Sequence, residues 1–235
     1  MFYRNDARAH DALREITFEV GVQRHAGGSV VIKWGQTHVL CAATFEDRVP
    51  AHRVSSGGGW LTAEYAMLPG ATQERQKRER PNVSGRTAEI QRLIGRSLRA
   101  VVGLDQLGQR TLWLDCDVIQ ADGGTRCAAI TGAYVATVLA IRAAGLKLTP
   151  PPVAAVSVGI VKGESLLDLC YVEDSAADVD LNYVATPAGI VEVQGTAEGK
   201  PFPRARLDVL LDTAQKACER LFELQSEVLD QAAGR

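Results

Sequence analysis

A strand-like segment and a helix-like segment meet at two adjacent glycines near the middle of this 235-residue chain. Residues 111–120 (TLWLDCDVIQ) are rich in β-branched and apolar side chains, whereas residues 127–144 are rich in alanine, with apolar residues at helical spacing. Residues 123–126 (GGTR) lie at the junction. Unpaired N–H groups and the positive dipole end at a helix start favour an anion, and a guanidinium adds a bidentate donor. The pattern therefore predicts a strand, a turn and a helix, in which the turn either binds a phosphate-like anion or is merely tight, with Arg126 in solvent.

The composition is that of a globular protein with a sizeable core, since 46% of the residues are apolar. The formal net charge is -2, so no overall field draws the chain to nucleic acid or to an anionic membrane, and any polyanion site must be local. Five cysteines without a CxxC pair indicate a reducing cytoplasm. Neither a signal peptide nor an apolar run of about 18 residues is evident, so we expect neither secretion nor a membrane span.

Apolar periodicity predicts several strands and three helices. Gly35-Gln36 separates two early strands as a hairpin turn would, and a strand before them completes an antiparallel meander. A strong helical pattern begins at Ser84. Residues 148–152 (LTPPP) form a rigid, proline-rich segment that interrupts the regular pattern and is the one candidate domain seam. Because no long flexible linker accompanies it, we expect a single domain over residues 1–235. The predicted strands are 15–20, 29–34, 37–44, 111–120, 153–161, 166–172, 180–186 and 190–196, and a closing helix covers about 204–231.

Arg86 resembles Arg126 in its context, because both are cations near a predicted helix start. An arginine at this end of a helix is mildly unfavourable to the dipole unless an anion is present. Two such cations converging on one pocket would hold an inorganic phosphate or a phosphodiester. The alternative for Arg86 is a solvated surface side chain.

An acidic segment, residues 173–180, offers four carboxylates in eight residues, among them Asp174 and Asp180. Oxygen ligands of this kind suit Mg²⁺ or Mn²⁺, which hold phosphoryl oxygens while keeping several waters. One of the carboxylates could instead act as a general acid, if its neighbours raise its pKa. The alternative is an acidic turn in which Asp174 or Ser175 caps a helix.

A loop over residues 70–82 has basic character, with Arg75, Lys77, Arg78 and Arg80 against two glutamates. It would suit contacts to a nucleic-acid backbone, or it is merely solvated. The four histidines show no metal-ligand spacing, and neither a GxSxG elbow nor a Walker loop is present. Hydrolysis through an activated serine and the standard nucleotide folds are therefore disfavoured.

Five ordered sequence blocks, spread over nearly the whole chain, resemble bacterial ribonuclease PH. They are GWLTAEYAMLP at 59–69, GRTAEIQRLIG at 85–95, DCDVIQADGGTR at 115–126, YVEDSAAD at 171–178 and EVQGTAEG at 192–199. The sequence departs from the family at Gly70, where an arginine is usual, and at residues 81–84, where the family is richer in Gly and Lys. These departures concern RNA affinity and ring assembly rather than the chemistry.

The resemblance implies a single-domain α+β fold with mixed β-sheets packed against α-helices. It implies a phosphorolytic 3′-to-5′ exoribonuclease that uses inorganic phosphate as co-substrate to release nucleoside diphosphates from the 3′ ends of precursor tRNA. The reverse reaction adds nucleotides. The family assembles as a homohexameric ring of three dimers and works in the cytoplasm without a membrane.

The resemblance also implies roles for particular residues. By the GRT and GGTR motifs, the phosphate contacts are Arg86, Gly124, Thr125 and Arg126. The catalytic and metal-binding carboxylates, for Mg²⁺ or Mn²⁺, are Asp174 and Asp180, with Asp180 as our candidate for the general acid. The RNA-binding arginines are Arg75 and Arg78.

Two rival functions follow from the same residues. One is a non-catalytic RNA-binding subunit of an exosome-like ring, although such relatives often lose the carboxylates or the GGTR arginine that this chain keeps. The other is a hydrolytic nuclease in which clustered acids hold two metals and water attacks. Phosphorolysis releases diphosphates and hydrolysis releases monophosphates, so the products separate the alternatives.

Overall fold

A computed structural model describes residues 4–55, 57–79 and 82–234, so that Arg80 of the basic loop lies outside the described residues. Within these ranges, nine strands form one sheet of five strands and one of four. Helices pack against both sheets, which confirms the predicted α+β fold; of the two described sheets the first is mixed and the second is antiparallel. The strands of the first sheet are β1 (Ile16–Val20), β2 (Gly28–Trp34), β3 (Thr37–Glu46), β4 (Trp60–Met67) and β5 (Thr111–Gln120).

The first sheet has the order β1-β2-β3-β5-β4. The predicted meander and hairpin are confirmed, since β1, β2 and β3 are antiparallel neighbours and Trp34 pairs with Thr37 across the turn. β5 pairs antiparallel with β3 and parallel with β4. A parallel pair needs a crossover, and here the connection contains the helix α2 (Gly85–Arg99), which packs on β4. Ser84, the predicted start, is the N-cap of α2 and accepts a hydrogen bond from the Thr87 backbone N–H.

The second sheet is antiparallel throughout, in the order β7-β6-β8-β9. Every residue of its central strand β6 is buried, as its continuous apolar sequence requires. The closing helix, α5 (Arg204–Ala233), packs on β6, β7 and β8. The strands are β6 (Ala154–Val161), β7 (Glu164–Leu167), β8 (Val179–Thr186) and β9 (Gly189–Ala197).

The helix α3 (Thr125–Ala143) lies at the centre of the molecule and contacts strands of both sheets. Fifteen of its 19 residues are buried, which explains an apolar sequence without a polar face. By length and composition alone α3 could cross a membrane, but 78% of its apolar window is buried within the protein, as in the core helix of a soluble fold. One continuous apolar core includes side chains from both sheets and from α3. Residues 148–152 form the irregular connection from α3 to β6.

The prediction of a strand over residues 166–172 is wrong. β7 ends at Leu167, Asp168 takes a left-handed conformation with φ 55°, and a short helix, α4 (Tyr171–Asp174), follows. The Glu173 carboxylate accepts the Cys170 backbone N–H at 3.0 Å and receives two hydrogen bonds from the buried Arg4 guanidinium. These polar contacts stop the strand and begin a helical turn, which the apolar pattern alone does not predict. Two further short helical segments, α1 (Ala51–Val54) and a 3₁₀ turn (Leu104–Leu107), lie in the connections from β3 to β4 and from α2 to β5.

Candidate active site

Two left-handed glycines turn the chain from β5 into α3. Gly123 has φ 74° and Gly124 has φ 66°, a conformation in which a Cβ is strained. A Cβ on Gly123 would also collide with the backbone of Leu169 and Cys170, the latter at 2.8 Å. Gly124 is the N-cap of α3, and no described side chain caps this helix. The first amides of α3 therefore face the site without a capping acceptor, as an anion site requires.

Thr125 fixes the start of α3 against the first sheet. Its hydroxyl oxygen lies 2.8 Å from the phenol oxygen of Tyr65 on β4, and both residues are buried. Burial raises the pKa of Tyr65, whereas the hydrogen bond with Thr125 and the charges of Arg86 and Arg126 lower it. The charges of two arginines, one on α2 and one on α3, therefore both influence the pKa of the Tyr65 side chain beside the glycine turn.

The guanidinium of Arg126 is held by two neighbours. It lies 3.4 Å from the carboxylate of Glu89 on α2 and donates to Oε1 of Gln194 on β9 at 3.2 Å. Gln194 in turn donates to Glu192 at 2.9 Å. Arg86, in the first turn of α2, is exposed. No role was predicted for Tyr65, Glu89 or Gln194, although all three stand inside the sequence blocks that carry the resemblance.

Asp174 and Asp180 face the same pair of arginines. Asp174 is the last residue of α4, Asp180 lies near the start of β8, and both are partly buried. Burial raises the pKa of Asp174 against the opposing charges of Arg86 and Arg126. Burial, followed by the charge of Asp174, raises the pKa of Asp180 to about 6, again against Arg126 and Arg86. The structure thus brings four predicted site residues together from four different elements.

Two partly buried carboxylates with raised pKa values fit a divalent cation, because its charge would offset both their burial and the repulsion that Asp174 exerts on Asp180. The donors are oxygens, which suits Mg²⁺ or Mn²⁺ better than a softer metal. Among the described residues there is no group of three or more His, Cys, Asp and Glu side chains that could hold a metal ion. The pair fits the usual mode of Mg²⁺, in which one or two carboxylates act with waters and substrate phosphates.

The basic-loop residues Arg75 and Arg78 are not among the charges that shift the pKa of Asp174 or Asp180. Arg75 and Arg78 are exposed. Arg78 approaches Asp117 on β5, whose pKa is raised by burial and lowered by that arginine. Asp115, beside it on the same face of β5, has a pKa raised by burial and by Glu64, so this face of the strand is only partly solvated.

Two models of one known family match most of this chain. The model of the 3′ exoribonuclease family, domain 1, matches residues 12–142, and that of domain 2 matches residues 151–217. The chain belongs to the 3′ exoribonuclease family. Among curated members, the ribonuclease PH of Rhodococcus erythropolis is 55% identical over 97% of this chain and 92% of its own length. That of Frankia casuarinae is 57% identical over 96% and 93%, respectively.

Solved structures show the same fold at much lower identity. The crystal structure of rice Rrp46 aligns with a TM-score of 0.80 and 17% identity, covering 96% of this chain and 100% of that one. The Archaeoglobus fulgidus exosome with RNA bound to the active site aligns with a TM-score of 0.80 and 21% identity, over 94% and 92%. This 3′ exoribonuclease acts on RNA by phosphorolysis in the 3′-to-5′ direction, with phosphate as co-substrate.

Proposed function

We propose that this 3′ exoribonuclease trims the 3′ ends of precursor tRNA at the site between α2, α3, α4 and β8, releasing nucleoside diphosphates. In this proposal orthophosphate binds to Arg86, Gly124, Thr125 and Arg126. One observation carries it: the charges of Arg86 and Arg126 both act on Asp174 and on Asp180. Two cations and two acids in one place are what a reaction between two anionic groups requires.

Phosphorolysis joins an oxygen of orthophosphate to the phosphorus of the terminal phosphodiester and breaks the bond from that phosphorus to the 3′-oxygen of the preceding nucleotide. The two anions repel each other, so the site must supply positive charge before the bond forms. Arg86, Arg126 and the uncapped amides of α3 supply it, and they hold the attacking oxygen in line with the leaving oxygen.

The leaving 3′-oxygen needs a proton, which we assign to the Asp180 carboxyl. Its pKa of about 6 makes it a better proton donor near neutral pH than an ordinary aspartate, which is almost fully ionised there. Asp174 would be the main residue to hold Mg²⁺ (or Mn²⁺), with Asp180 as the second carboxylate. When bound, the ion would polarise the scissile phosphate and neutralise part of the developing charge.

In the same proposal, the basic loop contacts the RNA outside the catalytic site. Arg75 and Arg78 are exposed and free to contact the phosphate backbone, which gives affinity without sequence reading. We assign the chain to a homohexamer of three dimers in the cytoplasm, in which loops from neighbouring subunits line the approach to the site. We also propose that residues 1–235 form a single domain. The candidate internal seam of this domain is at residues 148–152.

The test is an assay of products with a radiolabelled precursor tRNA, in the presence and absence of phosphate. Diphosphates that depend on phosphate support the proposal; monophosphates would mean hydrolysis, and no release would mean a scaffold subunit. Asp180→Asn should abolish turnover while RNA binding and assembly, followed by native mass measurement, stay intact. Asp178→Asn removes an exposed carboxylate two residues earlier, is the matched control, and should keep activity. Unchanged phosphorolysis by Asp180→Asn would remove this residue from the mechanism.

A further inference from the structure

Asp122 connects the two halves of the site with one side chain. It stands between the end of β5 and the glycine turn, and its backbone N–H donates to the Thr37 hydroxyl at 2.9 Å. Its carboxylate Oδ1 accepts the backbone N–H of Tyr171 at 3.1 Å. Tyr171 is the first residue of α4, the helix that ends in Asp174. The residue before the phosphate turn thus holds the start of the helix that carries a site carboxylate.

Buried charges hold Asp122 in place from the other side. The Arg14 guanidinium donates to the Asp122 backbone carbonyl and lies 3.7 Å from its carboxylate. The same guanidinium pairs with Asp168 at 2.7 Å, where the two side chains are 6% and 2% exposed. Trp34 also donates to Asp168 at 2.9 Å. The strand end, the glycine turn and the segment before α4 are therefore joined by charge-assisted hydrogen bonds.

We propose that Asp122 is a positioning residue that sets the placement of the phosphate half of the site relative to the carboxylate half. The phosphate half comes from α2 and α3, and the carboxylate half comes from α4 and β8. In-line attack requires the two halves to be aligned, and a displacement of about 1 Å costs about 100-fold in rate. The inference rests on the proposed function, because it assumes that Arg126 holds phosphate and that Asp174 acts on the RNA terminus.

The test compares Asp122→Ala with Asp122→Asn. The alanine variant lacks the acceptor for Tyr171 but leaves each half intact, so kcat should fall by about 10- to 100-fold while the phosphate KM changes by less than about threefold. The asparagine variant keeps an oxygen acceptor and should recover most of kcat. Gln120→Ala is the control, since it removes an exposed 2.8 Å hydrogen bond to Gln36 from the same strand end and should retain the wild-type kcat.

A lower kcat caused by unfolding must be distinguished from a lower kcat caused by misalignment of the two halves of the site. We therefore express kcat per folded protomer, with the folded fraction taken from circular dichroism and the phosphate stoichiometry from calorimetry. An unchanged kcat in Asp122→Ala, a raised phosphate KM with normal kcat, or an asparagine variant as slow as the alanine variant would each overturn the inference alone. Wild-type protein without phosphate-dependent release of diphosphates would overturn the proposed function with it.

Discussion

Replacing Asp180 with asparagine should make the ligand-free protein more stable at neutral pH. The reason is that ionisation of this carboxyl costs more free energy in the folded state than in the unfolded chain. Burial and the charge of Asp174 raise its pKa from 3.8 to about 6. At about 1.4 kcal/mol per pH unit, that rise corresponds to about 3 kcal/mol, and the partial exposure of Asp180 reduces our expectation to about 2 kcal/mol. Asparagine has the shape of the neutral acid and carries no such cost.

The raised pKa of Asp180 determines the direction in which the free energy of unfolding changes with pH. Between about pH 4 and pH 6 the folded wild type keeps a proton that the unfolded chain has released, so its free energy of unfolding falls as the pH rises through this window. Above about pH 6 both states are ionised at this position and the loss is complete. The advantage of Asp180→Asn should therefore grow from near zero at pH 4 to about 2 kcal/mol at pH 7.5.

The measurement is urea unfolding followed by tryptophan fluorescence, from pH 4.5 to pH 8, at one protomer concentration and in phosphate-free buffer with a chelator. Phosphate and divalent ions are excluded because anything that binds the folded state shifts its apparent stability. Asp178→Asn controls for the removal of a carboxylate from the same segment, since Asp178 is exposed and lies two residues before Asp180. A difference between Asp180→Asn and the wild type that stays constant with pH, or a variant that is less stable at pH 7.5, would refute the reasoning.

Two further outcomes are expected. Arg126→Ala should raise the apparent KM for phosphate by about 10- to 100-fold, which is the range for the loss of one charge-assisted hydrogen bond or pair. The measurement is the initial rate against phosphate concentration, and Arg92→Ala, on the exposed side of α2, should leave the KM unchanged. An unchanged KM in Arg126→Ala would disprove the GGTR assignment. Arg14→Met should lower the free energy of unfolding by about 2–3 kcal/mol, because the buried Asp168 loses its 2.7 Å pair with Arg14 and keeps the longer 3.2 Å pair with Arg8 and the Trp34 N–H. Arg204→Ala breaks an exposed pair with Asp208 and should cost under about 1 kcal/mol; equal losses in urea titrations would contradict this contrast.

The sequence predicts the fold well where the deciding contacts are local. Residues 111–120 form a strand with the predicted limits because apolar alternation and burial coincide there. Residues 166–172 were misassigned because α4 depends on acceptors far along the chain, such as Asp122, 49 residues before Tyr171.

The same limit applies to the site. GGTR and the Asp174 to Asp180 segment are contiguous motifs, so they stand out in the sequence. Glu89 and Gln194 approach Arg126 only when α2 and β9 have packed, and no local pattern distinguishes them from other polar residues. The roles of the predicted site residues stay predictions until the variants are measured.

The contacts of Arg4 have a consequence for biosynthesis. Its acceptors, the Asp168 carbonyl and the Glu173 carboxylate, are 164 and 169 residues further along the chain. A ribosome adds about 5–20 residues per second, so roughly 10–30 s pass before these acceptors exist. Until then Arg4 has no native acceptor on those two residues, and the carboxylate half of the proposed catalytic centre can be completed only after residues 174–180 have left the ribosome.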